Sequence, residues 1–257
     1  MWIGIAGVTV GVVGALFGRA QLEAWAAQQD CSTTKPAMAA SDDWSCPLRF
    51  EGGKPVVTDK AELDRLRLAL RDGVFRPWVE LGRAPTPEEV GERLHLEPKG
   101  VAELLGKLET CGETAQAGIR KVPESDLIAV AWPFANVPTG ITVTVEGGKP
   151  VQARCSVDAL GISKMMGRKA VVEAETRDGK AKLRVEVDGD KLVSADPPEA
   201  VVFRGGSCDE MLFFSSQAGL DAWKKRQRVT GGKAFTMREG VTHGAELFGQ
   251  VTAGLPE

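Results

Sequence analysis

Two cysteines and an aspartate are the residues whose types and spacing could do chemistry in this chain. Cys155 and Asp158 are three residues apart, so a helix would place them on one face. Cys208 comes later and opens an apolar, strand-like run. Thiolates select soft metals, and a positioned carboxyl can act as a general acid. The set predicts a site that binds a soft metal and delivers a proton to whatever the metal carries.

Local sequence around these residues favours reactive forms. Cys155 stands at the start of a predicted helix that runs to about Met166, where the helix dipole would favour its thiolate. A carboxyl at Asp158, if buried in an apolar pocket, would have a raised pKa. Asp209 adds a second carboxylate, which would bind released metal or face water. Taken singly, Cys155 is better explained as a small buried hydrophobe, and Asp158 can be explained as a favourable charge in the first helical turn; only the joint pattern favours a site.

Several sequence pieces occur together in one order. They are Trp132–Thr139 (WPFANVPT), Cys155–Ile162 (CSVDALGI), Met165–Arg168 (MMGR), Cys208, Phe213-Phe214 and Trp223. This ordered set resembles the organomercurial lyases, also called alkylmercury lyases, over roughly residues 59 to 252. The chain differs from the best-known family members at Arg154, where they carry an aromatic residue; this arginine is expected to favour the thiolate or to alter the fit of the organic group.

The resemblance implies a function and a role for each residue. Cys155 and Cys208 would be the thiolates that bind mercury, and Asp158 would shuttle a proton to the carbon, releasing a hydrocarbon and Hg(II). No cofactor would be required, but an external thiol reductant would be. The substrate partner would be a small organomercurial, and a mercuric reductase would be a candidate receiver of Hg(II). Asp158 and Asp209 are further candidate metal ligands.

Composition bounds the alternatives. The 257 residues are 43% hydrophobic and 26% charged with a net charge of −3, which is typical of a globular protein and gives no basic surface for nucleic acid. Five cysteines do not make a disulfide framework, and two histidines disfavour a His-rich zinc site or a Ser/His/Asp hydrolase. Two other functions stay open: a non-catalytic protein that binds copper or mercury, and a winged-helix regulator that senses a soft metal.

The N-terminal region divides into two predicted parts. Residues 1–18 hold an apolar segment, Trp2 to Phe17, which is short for a membrane span and is either an anchor or a signal sequence. Residues 19–57 are predicted to be a linker, in which Cys31 and Cys46 are incidental or pair if oxidised. Arg19 after the apolar segment favours the cytoplasmic side, with the protein anchored to the inner membrane by residues 2–17.

Two folded parts are predicted after the linker, giving an α+β protein. Residues 58–122 would form a winged-helix-like domain, with a helix capped by Asp59, a helix begun by Thr86-Pro87, and a third opened by Pro98. Pro77 is expected to kink or end the first helix, and His95 and Cys111 are expected to be structural. Residues 123–257 would form the catalytic body, a mixed or antiparallel sheet with helices.

Overall fold

A computed structural model of the chain describes residues 47–51, 54–115, 118–206 and 210–256. The predicted apolar segment 1–18, Cys208 and Asp209 lie outside these ranges. Within the described part of the chain, no helix is both long and apolar enough to cross a membrane.

The helices fall into an N-terminal group and a group in the body. Their bounds are α1 Lys60–Leu70, a π-helical turn Arg71–Phe75, α2 Arg76–Leu81, α3 Pro87–Leu94, α4 Pro98–Ala115, α5 Ser156–Met166, α6 Gln217–Gln227 and α7 Met237–Thr252. The predicted starts are confirmed, since Asp59 caps α1 and Thr86 forms a capping box with Glu89 at the start of α3.

The strands form three antiparallel sheets in the described residues. Their bounds are β1 Leu48–Glu51, β2 Lys54–Val57, β3 Ile119–Lys121, β4 Ile128–Ala131, β5 Phe134–Ala135, β6 Ile141–Val145, β7 Pro150–Ala153, β8 Ala170–Glu175, β9 Lys182–Asp188, β10 Lys191–Asp196, β11 Val201–Arg204, β12 Met211–Phe214 and β13 Lys233–Thr236. The main sheet has eight strands in the order β10-β9-β8-β6-β7-β5-β4-β3, a second has the order β12-β11-β13, and β1 and β2 form a hairpin. The α+β class is therefore confirmed, with antiparallel pairing throughout.

The N-terminal part departs from prediction at two places. Of the two outcomes expected at Pro77, a kink or an end of the helix, the end is wrong, because the chain stays helical to Leu81. A π-helical turn precedes Pro77, and in it the Arg76 N–H donates to the Arg71 carbonyl. This wider turn accommodates the hydrogen bond that proline cannot donate. The end of the predicted linker is the β1–β2 hairpin, with its strands on either side of Gly52-Gly53.

One hydrophobic core joins the N-terminal helices to the main sheet. The Trp78 ring stacks on Phe134 of β5 with centroids 5.6 Å apart, and Phe75 meets the same ring edge-on at 5.7 Å. The core cluster runs without a break from Leu66 in α1 to Val251 in α7. The N-terminal helices therefore pack against β5, the strand that follows Trp132-Pro133. The winged-helix assignment stays a prediction.

Helix α5 is the central element of the body. All of its residues are buried except Lys164 and the partly exposed Met166. It meets α7 at backbone contact: a Cβ added to Gly161 would lie 2.5 Å from the Gly244 carbonyl oxygen. Only glycine permits this approach, so the position of α5 is set by α7 as well as by the sheet.

Candidate functional site

Cys155 is the N-cap of α5. The chain leaves β7 at Ala153, and Cys155 keeps an extended backbone (φ −150°, ψ 177°) before the helix begins. Its sulfur accepts a hydrogen bond from the Asp158 backbone N–H at 3.5 Å, as a serine oxygen does in ordinary caps. The side chain is 1% exposed. A thiolate here faces the positive end of the helix dipole, which lowers the free energy of the charged form.

Asp158 lies in the same first turn, with its side chain buried. Loss of solvation raises the pKa of this carboxyl from 3.8 to about 6, while the Arg154 charge and a hydrogen bond with the Cys155 side chain act in the opposite direction. Among the described residues nothing hydrogen-bonds to its Oδ2 atom, which is buried. A carboxyl with a near-neutral pKa and an unsatisfied oxygen is suited to take up and release a proton. The predicted pairing of Cys155 and Asp158 on one face is confirmed.

Met211 brings the second sheet to this cysteine. It is the first residue of β12, and the Cys155 thiol donates a weak hydrogen bond to its Sδ atom at 3.5 Å. Just upstream, the Gly205 N–H bonds to the Glu210 carbonyl at 3.0 Å and the Gly206 N–H to the Glu210 carboxylate at 2.6 Å. These bonds hold Gly205 and Gly206 close to Glu210, whereas Cys208 and Asp209 lie outside the described residues.

A cationic and aromatic cluster flanks the site. The Arg154 guanidinium lies 4.7 Å from the Trp132 ring centroid, and the Arg120 guanidinium lies 5.3 Å from the same ring. The Arg154 N–H also donates to the Pro133 carbonyl at 3.1 Å, which fixes the backbone beside Cys155. Such cation–π contacts hold the arginine side chains in place. The only sequence signals for this cluster are the position of Arg154 before Cys155 and of Trp132 at the start of the WPFANVPT segment.

The remaining candidates have structural roles. Cys111 is buried and disulfide-bonded, and His95 ends α3 in a left-handed conformation, as expected of structural residues. A surface groove of about 810 Å³ lies between α3, α4 and residues 125–127, but no cysteine lines it. Within the described ranges, no group of three or more His, Cys, Asp or Glu side chains could hold a metal ion.

The fold and site define an α+β protein with a helix-capping thiol beside a buried carboxyl whose pKa is raised. The alkylmercury lyase family model matches residues 134–249, which include both residues. Over 179 residues the chain is 29% identical to alkylmercury lyases of Bacillus cereus and Clostridium butyricum, covering 65% of this chain and 76% of each relative. Over this part of its length the chain is therefore similar to the alkylmercury lyases.

The fold of the chain is similar to that of a solved structure. The crystal structure of the mercury-bound form of MerB2 superposes with a TM-score of 0.54 at 19% identity, covering 75% of this chain and all of that one. At this level of identity the likeness shows the shared fold alone. The comparison agrees with the α+β architecture and its antiparallel sheets.

Proposed function

We propose that this protein is an organomercurial lyase, which cleaves carbon–mercury bonds by protonation and gives a hydrocarbon and Hg(II). The match of residues 134–249 to the alkylmercury lyase family model, and the similarity to alkylmercury lyases, support the reaction class. The observation that carries the proposal is the pair at the start of α5, where the Cys155 sulfur is bonded to the Asp158 N–H and the buried Asp158 carboxyl has a pKa of about 6.

The proposed reaction starts at the thiol. Cys155 passes its proton to Asp158 and its thiolate displaces the leaving anion from R–Hg–X. Cys208 gives its proton to that anion and binds the same mercury, so two sulfurs push electron density onto the carbon. Asp158 then protonates the carbon and R–H leaves, with Hg(II) held between two thiolates. Two thiol protons are consumed, one in R–H and one in HX, so atoms and charges balance.

The role of Cys208 rests on chain reach. Met211 contacts the Cys155 sulfur, and Cys208 is three residues before Met211 in the sequence. Three residues of extended chain span at most about 10 Å, so the position of Met211 is compatible with the role proposed for Cys208. Asp209 is proposed as a secondary site for released metal, and external thiols as the carriers that remove the product. A mercuric reductase is the proposed receiver of Hg(II).

The decisive experiment follows benzene release from phenylmercury in the presence of excess thiol. The wild type should release benzene, Cys155→Ser should release none, and Asp158→Asn should bind mercury but cleave poorly. Asp190→Asn is the matched control, since Asp190 is an exposed aspartate paired with Lys164. Mercury binding by the wild type with no benzene would overturn the lyase proposal and leave a metal-binding protein of the same fold.

The cellular position needs a separate test. The sequence predicts the cytoplasmic side, with residues 2–17 as a membrane anchor. The disulfide at Cys111 favours an oxidising compartment instead, because disulfides persist mainly there. We propose to settle the side by blocking free thiols in intact cells and then labelling the thiols that reduction reveals. A Cys111 that reacts before reduction supports the cytoplasm, and one that reacts only after reduction supports an oxidising compartment.

A further inference from the structure

Met211 places a second sulfur atom beside the Cys155 thiol. Its thioether Sδ lies 3.5 Å from the Cys155 Sγ atom, and the side chain is only partly buried. The strand that carries it is fixed by pairing with β11, in which Arg204 stands opposite Met211 and Phe203 opposite Leu212. The two sulfurs are therefore neighbours because two different sheet elements meet at the start of α5.

A methionine in contact with a cysteine is often mere packing, since its flexible side chain fills irregular gaps. Two features of this contact go beyond packing. Along β12, Phe213 and Phe214 are 3% and 0% exposed, whereas Met211 is the residue at the partly open end, beside the reactive thiol. In addition, the two sulfur atoms are 3.5 Å apart, so a lone pair of the Met211 sulfur faces the group that is expected to bind mercury.

The consequence follows from deprotonation. When Cys155 loses its proton and binds a metal ion, the ion takes the place of the thiol hydrogen. The Met211 lone pair then faces the metal ion. A thioether is a soft, neutral donor that needs no deprotonation, and soft donors of this kind select soft metals. The contact that is a weak hydrogen bond in the free protein then becomes a bond to the metal.

We propose that Met211 is a thioether ligand for the mercury bound at Cys155, an inference that deepens the proposed lyase function and rests on it for its catalytic part. The thioether adds electron density to mercury and hence to the carbon that is protonated. It also helps to hold Hg(II) after the hydrocarbon leaves. The substrate class it favours is the soft, two-coordinate organomercurial, which can accept a further donor.

The test uses the full chain with selenomethionine in place of methionine. Mercury X-ray absorption on protein loaded with HgCl₂, and separately with phenylmercury, should show a selenium neighbour. Met211→Leu keeps the side-chain volume and should remove that neighbour. Met237→Leu is the matched control, because Met237 is also a methionine, is 3% exposed in α7, and should leave the selenium signal unchanged.

Kinetics give the second readout. Met211→Leu should lower kcat for phenylmercury by about 10–100-fold, the range found when groups that tune a metal ligand are removed, while Met237→Leu should not. Absence of selenium from the wild-type mercury shell would overturn the inference, and so would an unchanged selenium signal in Met211→Leu. The labelled wild type alone decides whether selenium binds mercury, even if Met211→Leu fails to fold. A selenium neighbour on HgCl₂ without any benzene release would uphold the ligand and refute only the lyase function.

Discussion

Asp158→Asn should make the protein more stable at neutral pH while it impairs cleavage. The buried carboxyl has its pKa raised from 3.8 to about 6, so the folded state binds more protons than the unfolded state between these values. Stability therefore falls as pH rises through this window. Since one pKa unit corresponds to about 1.4 kcal/mol, the ionised Asp158 costs the fold about 3 kcal/mol at pH 7.5.

Asparagine removes this cost because it carries no charge. Its amide would sit where Oδ2 now has no hydrogen-bond partner among the described residues, which costs about 1–2 kcal/mol. The net gain at pH 7.5 is then about 1–2 kcal/mol. The amide cost is independent of pH, so the stability difference between variant and wild type should widen by about 1.4 kcal/mol from pH 5 to pH 7.5.

Urea unfolding of the wild type and Asp158→Asn at pH 5 and pH 7.5 measures this change in the stability difference. Benzene release measures the activity of the variant, which should fall by about 10²–10⁴-fold. Asp190→Asn is the control. Its carboxyl pKa is lowered by the Lys164 ammonium, so it titrates below this pH range and should leave the difference constant. A stability difference for Asp158→Asn that is the same at pH 5 and pH 7.5 would refute the raised pKa, and full activity would refute the role of Asp158 as proton carrier.

Further predictions concern the surroundings of this carboxyl. Cys155→Ser should keep the helix cap, because serine is a preferred N-cap, so the urea midpoint should hold while mercury affinity is lost; retained affinity would remove the thiol from the site. Arg154→Met should raise the pKa of Asp158 by removing a positive charge, so the decline of kcat at high pH should move upward, and a shift downward would contradict this. Gly161→Ala should destabilise the fold by about 1–3 kcal/mol, because the added methyl group overpacks against α7. Gly106→Ala in α4 should instead stabilise the fold by up to about 1 kcal/mol in the same urea assay, because a Cβ there meets nothing within 4 Å.

Local spacing is enough to predict the heart of the site. Cys155 and Asp158 share a helical turn, and both the cap and the first-turn position follow from a three-residue separation. The strand Ile141–Val145 is β-branched at every position, a composition that is typical of strands. These features depend on neighbours in the chain, which is why the sequence alone reveals them.

Features that depend on distant pairing escape prediction. Met211 reaches Cys155 only because β12 pairs with β11 beside the start of α5, and no local pattern encodes that meeting. Arg120 and Arg154 share the Trp132 ring across separate strands for the same reason. The helix past Pro77 persists because burial of neighbouring side chains outweighs the lost hydrogen bond, a tertiary effect that overrides propensity.

The glycine contact between α5 and α7 has a consequence for synthesis on the ribosome. The backbone of α5 rests on Gly244, and the Thr252 hydroxyl donates to the Met165 carbonyl at 3.1 Å. Helix α5 therefore lacks its support until Gly244 and Thr252 have been translated. At roughly 5–20 residues per second, the Cys155 thiol spends on the order of 5–20 s in the nascent chain without its final partners. In a cell exposed to mercury, the thiol that we propose to bind the metal in the folded protein can react with it during this interval, before α5 is packed.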